Sequence, residues 1–382
     1  MTLSCSAIDT ALQITTDGGI KPCCPGAHEL GNLRNNSIDV ILSSDTYKQV
    51  RQSIVDGSSP YCKNCDINDA VVPNSSQRHT FNQAFPSPGY QQLKQLDIRW
   101  SNLCNLTCRY CCSNDSSEWA KLETKPIGSI SRDYVQSVLD LIKQNRNTIQ
   151  VVYLLGGEPL LQKYNEDLLD ILDNKTQIDI VTNLNVRLDN NRVYGKLQSF
   201  PHVRWNVSVD NIGDRFEYVR HGASWNLLLD NIDALKQDFG QAHIFLHPVY
   251  SIWSAFSLVE YLDFTQRLGV EVWWQLANED EQFPDLIRGF NLFKHSSKIK
   301  ESASKQIDQL GRIDYRSKRF LGQVKDGLLA TTSVPGRAEK FLSWTVHNEQ
   351  QLKPKYPFKD LWSELNTLLV EDLQHDQLGS LR

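Results

Sequence analysis

The chain predicts an α/β protein: about six βα units, which fit a partial (βα)6 barrel of the TIM-like kind or an open parallel sheet, preceded by a small Cys-rich module and followed by a helical extension. Three observations predict it. Six short apolar runs alternate with segments of helical period between residues 92 and 283. All nine cysteines lie at or before Cys112, most of them at short spacings. Beyond residue 284 the chain is polar with helical patterning and scattered anchors such as Leu310 and Phe320.

The elements follow in order. Residues 1–69 form the Cys-rich module, with Leu12 and Ile14 before an Asp17-Gly18-Gly19 hairpin turn, a returning strand from Ile20, and a helix through Tyr47, Val50 and Ile54. Residues 70–91, with Pro73, Pro86, Pro88 and Gly89, read as a linker. In the core, Leu93 to Trp100 alternates, with Leu96, Ile98 and Trp100 on one face. Ser131 is positioned to cap a helix carrying Val135, Val138, Leu139 and Ile142. Ile149 to Leu155 is a continuous apolar-rich run, as expected of a buried parallel strand. Further strands are expected at 178–181, 203–209, 243–249 and 270–276, with helices between them. In such a fold, ligands sit at the carboxyl ends of the strands.

Composition narrows the function. The net charge of −5 supplies no general attraction for polyanions, so nucleic acid is an unlikely partner. No segment has the length of a membrane span, and the first residues lack the pattern of a signal peptide. A cytoplasmic location is expected, where cysteines at fixed short spacings suggest metal or cluster ligation more than disulfides.

Cys104, Cys108 and Cys111 stand as C-x3-C-x2-C just past the first core strand. Three thiolates on one short loop can converge on a cubane cluster and leave one iron open. Zinc is the competing reading. It wants a fourth ligand; Cys112 is the obvious one, but adjacent side chains point apart. One βα unit later, Gly156-Gly157-Glu158-Pro159 ends the second strand. Glycines there allow close approach of backbone to a ligand, although a plain turn uses the same residues.

Together these motifs resemble the radical S-adenosylmethionine (SAM) superfamily over roughly residues 92 to 280, including the aromatic Tyr110 before Cys111. The resemblance implies that Cys104, Cys108 and Cys111 ligate a [4Fe–4S] cluster whose open iron chelates SAM. Reductive cleavage of SAM then gives a 5′-deoxyadenosyl radical that abstracts hydrogen from a substrate. Gly156, Gly157, Glu158 and Pro159 would hold the methionine end, Glu158 as acceptor for its amine. Other strand ends offer Asn183, Ser208, Asp210 and Arg220 as cofactor-binding candidates. Ser208-Val209-Asp210 resembles the peptide-modifying branch, with Ser208 near the SAM carboxylate or ribose and Asp210 toward substrate. Arg220 would pair with the SAM carboxylate. For each of these four, an ordinary cap or loop hydrogen bond is an equal alternative. His247, Trp253, Trp273 and Trp274 are candidates to line a substrate cavity, but aromatics in strands are more often simple packing, and they are set aside as such.

A second set, Cys5, Cys23 or Cys24, Cys62 and Cys65, spreads over the N-terminal module. By spacing alone zinc suits it. The run also resembles the twitch and SPASM auxiliary-cluster modules, here placed ahead of the core. That resemblance implies one auxiliary [4Fe–4S] cluster on Cys5, Cys23, Cys62 and Cys65. Neighbours on a strand face opposite ways, so one of Cys23 and Cys24 ligates, and Cys23 is the choice. Expected partners are a peptide or protein side chain as substrate and a one-electron donor such as flavodoxin or ferredoxin. A small-molecule substrate, such as a sugar or nucleoside derivative, is the alternative. A non-catalytic zinc-binding interaction protein is the alternative from another class. No catalytic side chain is singled out.

Overall fold

The alternation of apolar and polar side chains sets most strands of the chain. The structure, a computed structural model, describes residues 5–23, 29–63, 65–66, 69, 74, 76–86, 91–277 and 288–379. These fall into two compact units. The first holds residues 1–105, 111–182 and 186–205; the second holds 106–110, 183–185 and 206–382.

The first unit contains β1 (Ala11–Ile14), β2 (Gly19–Lys21), β3 (Gly31–Asn32), β4 (Gln95–Ile98), β5 (Val151–Leu154) and β6 (Gln177–Thr182). Their order in the sheet is β6-β5-β4-β1-β2-β3. Strands β4, β5 and β6 are parallel and in register, with Ile98 across from Leu154 and Leu154 across from Ile180. Leu96, Ile98, Val152, Leu154, Ile178 and Ile180 are fully buried. The alternate positions are polar: Gln13 Nε2 donates to Asp97 Oδ2 at 2.9 Å and Arg204 Nε to Asp179 Oδ1 at 2.8 Å. The run 149–155, expected to be buried throughout, is therefore half-buried at Val151 and Tyr153. The helix after Ser131 spans Arg132–Asn145 and buries Val135, Val138, Leu139 and Ile142.

The N-terminal module is part of this sheet. The expected hairpin forms between β1 and β2, with Gly18 at φ +86°. Strand β1 also pairs in parallel with β4, Ala11 to Gln95 through Ile14 to Ile98. The helix through Tyr47, Val50 and Ile54 spans Asp45–Val55, capped by Ser44. The stretch read as a linker holds a helix, Gln77–Ala84. Prolines and serines around it suggested loop, yet Ser76 accepts from His79 N, donates to Asp69 Oδ2 at 2.7 Å, and starts a helix that buries Arg78 and Phe81.

Strand β7 (Val203–Val207) begins in the first unit, and its end lies in the second with β8 (Ile244–Leu246), β9 (Val249–Tyr250), β10 (Glu271–Val272) and β11 (Gln275–Leu276). The runs 243–249 and 270–276, expected as single strands, each break in two. Pro248 has no N–H for the ladder, so β8 pairs with β10 and, beyond the break, β9 pairs separately with β11. The described residues from 288 on are largely helical, as expected, with helices Ser297–Asp308, Tyr315–Ala330, Arg337–Leu352, Phe358–Leu361 and Ser363–Gly379. They pack through aromatics. Trp253, fully buried, lies 4.4 Å from Phe290 and 5.6 Å from Phe341 by ring centroids, and Trp274 stacks on Phe320. Among the described residues no helix is long and apolar enough to cross a membrane.

His295 lies within this packing, with Nε2 2.7 Å from Gly289 O. Burial pushes its pKa down to about 4. A depressed histidine contributes stability above its ordinary value of 6.5 and loses it as pH falls through about 4. Urea midpoints are expected to drop steeply over that window, and less steeply for His295→Gln; equal slopes would remove His295 as the cause.

Candidate functional site

Four N-terminal cysteines meet in the first unit. Cys5 precedes the short helix Ala7–Thr10, Cys23 follows β2 and Pro22, Cys62 ends the turn Pro60–Cys62, and Cys65 lies just beyond it. All four line one cavity, closed by Ile54, Tyr61 and Phe81. Burial pushes the Cys5 thiol up to about 11, with Cys62 and Cys65 adding to the shift and the Ala7 N–H and Arg78 opposing it. Burial raises Cys62 as well. Arg78 lies beside them, its guanidinium on Asp66. Four soft sulfur donors around one partly apolar cavity suit zinc or an iron–sulfur cluster in their chemistry. Cys24 lies outside the described residues. Among those described, no group of three or more His, Cys, Asp or Glu side chains is already drawn in to metal-binding geometry.

The ends of the Cys104–Cys111 loop also belong to the first unit. Ser117 Oγ accepts from Cys104 N at 3.1 Å and lies 3.0 Å from Cys104 O, which fixes that backbone. Cys111 is half-buried, while the buried Cys112 thiol turns to Asp115 Oδ2 at 3.9 Å.

The second motif docks on the residues just before Cys104. Glu158 N donates to Leu103 O at 2.7 Å and Gly157 N to Ser101 O at 3.3 Å. A Cβ on Gly157 would lie 2.2 Å from Leu103 O, and Gly156 has φ +116°. Both positions require glycine. Glu158 points inward, fully buried, with Oε1 accepting from Leu160 N at 3.1 Å and Thr182 Oγ1 at 2.7 Å. Pro159 opens the turn Pro159–Leu161, and its carbonyl accepts from Asn165 Nδ2 at 2.8 Å. Glu158 thus ties the end of β5 to the end of β6.

The second unit holds Cys108 and the remaining candidates. Asn183 Oδ1 accepts from Asn185 N at 2.8 Å, a local turn contact, and Ser208 is half-buried. Asp210 is buried and receives three donors: Val249 N on Oδ1 at 2.8 Å, and on Oδ2 both Arg220 Nε at 2.7 Å and the Tyr110 hydroxyl. Arg220 Nη1 lies 3.9 Å from Cys108 Sγ. Burial pushes the Cys108 thiol up; Arg220 opposes this and Asp210 adds to it. Asp210 and Arg220, expected to face substrate and SAM, here hold each other. Sequence reasoning did not pair them, nor did it connect Tyr110 to Asp210. The fully buried Arg109, with Nε on Tyr218 O at 2.8 Å and its guanidinium over the Tyr218 ring, was also missed. Contacts between distant strand ends leave no periodic signal.

Gly157→Ala is expected to lower stability by about 1–3 kcal/mol. The helical Gly195, with open space at its Cβ position, should accept alanine at no cost. Thermal unfolding of both variants checks this; equal midpoints would refute the close approach.

Comparison with known proteins bears on the motifs. Residues 98–262 match the model of the radical SAM superfamily, and residues 5–66 match SPASM, an iron–sulfur cluster-binding domain. A probable GTP 3′,8-cyclase of Methanocella arvoryzae is 27% identical over 150 residues, covering 38% of this chain and 44% of that protein. The match therefore spans less than half of that relative. A solved structure described as native anSMEcpe with bound AdoMet and Cp18Cys peptide is 16% identical, with TM-score 0.42, covering 61% of this chain and 62% of that one. Streptococcus suis SuiB bound to S-adenosylmethionine is 15% identical, with TM-score 0.34, covering 55% and 53%. The two domain matches fall in the order that the cysteines predict: residues 98–262 carry a radical SAM domain, a family of enzymes that works with a [4Fe–4S] cluster and S-adenosylmethionine, and the SPASM match lies ahead of it.

Proposed function

We propose that the chain modifies a peptide or protein side chain by radical chemistry, with Cys104, Cys108 and Cys111 as ligands of the SAM-binding cluster and Cys5, Cys23, Cys62 and Cys65 as ligands of an auxiliary one. The observation that carries the reading is the docking of Gly157 and Glu158 on the backbone of Ser101 and Leu103, directly before Cys104. This close approach brings the two motifs of one cofactor site onto adjacent backbone. Held by Cys104, Cys108 and Cys111, a cluster would supply the electron for reductive cleavage of SAM, the chemistry that makes hydrogen abstraction from a substrate possible. The chain's own residues supply orientation. Gly156 and Gly157, lacking side chains, let this turn lie against the backbone of residues 101–103, and its backbone would meet the methionine end of SAM. Glu158, locked by Leu160 N and Thr182, holds that turn at the ends of β5 and β6.

A peptide substrate is supported by the SPASM match and by Ser208-Val209-Asp210 following β7. A small-molecule substrate is the second reading, favoured by the likeness to the GTP cyclase. A one-electron donor such as flavodoxin or ferredoxin would be the partner in either case.

Anaerobically reconstituted protein is expected to hold about eight irons, two clusters' worth, and to form 5′-deoxyadenosine from SAM under dithionite. About four irons with product would make the N-terminal site a zinc site. Zinc without iron or product would refute the reading. Replacing Cys104, Cys108 and Cys111 with Ala should remove about four irons and all 5′-deoxyadenosine; retained cleavage would sink the assignment. Replacing Cys62 and Cys65 should remove a separate set of irons while part of the cleavage survives.

A further inference from the structure

Cys108 does not stand alone in its unit. Thr107 N donates to His221 O at 2.9 Å and Arg109 N to Val219 O at 2.8 Å. These two bonds hold residues 107–109 against residues 219–221 and bring residue 108 beside residue 220. The Arg220 side chain reaches the Cys108 sulfur with Nη1 at 3.9 Å. Its other end is fixed. Nε donates to Asp210 Oδ2 at 2.7 Å, the Tyr110 hydroxyl shares that oxygen, and Val249 N holds the other at 2.8 Å. The guanidinium also lies 5.5 Å from the centre of the Tyr110 ring. Arg220 and Asp210 are each less than a tenth exposed.

We propose that Arg220 is a positioning residue for electron transfer: an N–H donor to the Cys108 thiolate that raises the reduction potential of the cluster this thiolate ligates. The inference rests on the cluster assignment given under Proposed function. Its physics is that of sulfur hydrogen bonding. Reduction adds one electron, delivered by the external one-electron donor, and makes the cluster and its thiolates more negative by one charge. No bond breaks and no proton need move. A cationic N–H aimed at a ligand sulfur stabilises the more negative state. Asp210 neutralises Arg220 overall, so the pair acts as an oriented dipole with its positive end at the sulfur. Because three donors hold Asp210, that dipole is set before the electron arrives, which lowers the reorganisation that accompanies transfer.

The test is a redox titration of the reconstituted full chain, followed by electron paramagnetic resonance, with wild type, the neutral pair Arg220→Gln/Asp210→Asn, and Arg220→Lys. The relevant signal is the one that changes on adding SAM; the other cluster is the internal control. In the neutral pair the ratio of reduced to oxidised site cluster at a fixed potential is expected to fall about tenfold, or about 59 mV for one electron. The control should not move, and iron content should stay at the wild-type level. An unchanged potential would overturn the proposal. Arg220→Lys keeps the ion pair and covers the case in which the neutral pair fails to assemble: a smaller fall of the same sign is expected, and none would again overturn the role. A wild-type chain without any SAM-sensitive cluster would overturn the reading beneath the proposal, and the proposal with it. A normal wild type beside an unshifted variant overturns the role of Arg220 alone.

Discussion

Leu103 O accepts from Glu158 N across a gap too narrow for a Cβ on residue 157. Much of the first unit's organisation depends on that approach. It brings the turn after β5 against the backbone after β4. Glu158, two bonds deep in the interior, extends the tie to β6 through Thr182. Three parallel strands are thereby joined at their carboxyl ends by backbone contacts and one buried carboxylate, where an α/β sheet usually presents its ligands. The cost is conformational: two adjacent glycines, one at positive φ, must be ordered at the same place.

Much of the fold was legible in the sequence because it rests on local periodicity. Leu96, Ile98 and Trp100 alternate and are buried; Val135, Val138, Leu139 and Ile142 recur at helical spacing and are buried. What was not legible depends on partners distant in the chain. The apolar run around Val151 looked buried throughout, but Asp97, Asp179 and Arg204 from other segments make its other face polar. Pro248 signalled a break only once the register of β8 and β9 was known. The helix Gln77–Ala84 was hidden by flanking prolines, although Ser76 was a visible cap.

The sites divide along the same line. Cysteine spacing and Gly-Gly-Glu-Pro announced themselves, and the cavity lined by Cys5, Cys23, Cys62 and Cys65 gathers side chains that the spacing grouped. Asp210 and Arg220 were named for their strand-end positions, but their mutual bond, and the Tyr110 and Cys108 contacts, depend on two backbone hydrogen bonds between residues 107–109 and 219–221 that no local pattern encodes. The aromatics set aside as packing behave so: Trp253 and Trp274 are engaged by Phe290, Phe341 and Phe320.

The parallel pairing of β1 with β4 joins residues about 84 positions apart, as the Gln13–Asp97 contact records. The segment carrying the N-terminal cysteines is therefore not a bead on a string; much of it lies in the loop that closes between two neighbouring strands. Closing a loop of that length costs chain entropy, which the β1–β4 contacts must offset. The pairing also has a protective use. With β1 in place, β4 is an inner strand. Without it, β4 would offer a row of unpaired N–H and C=O groups to any passing chain. The SPASM domain thus doubles as the cover of the core's open margin, and a core cut free of it would be prone to self-association.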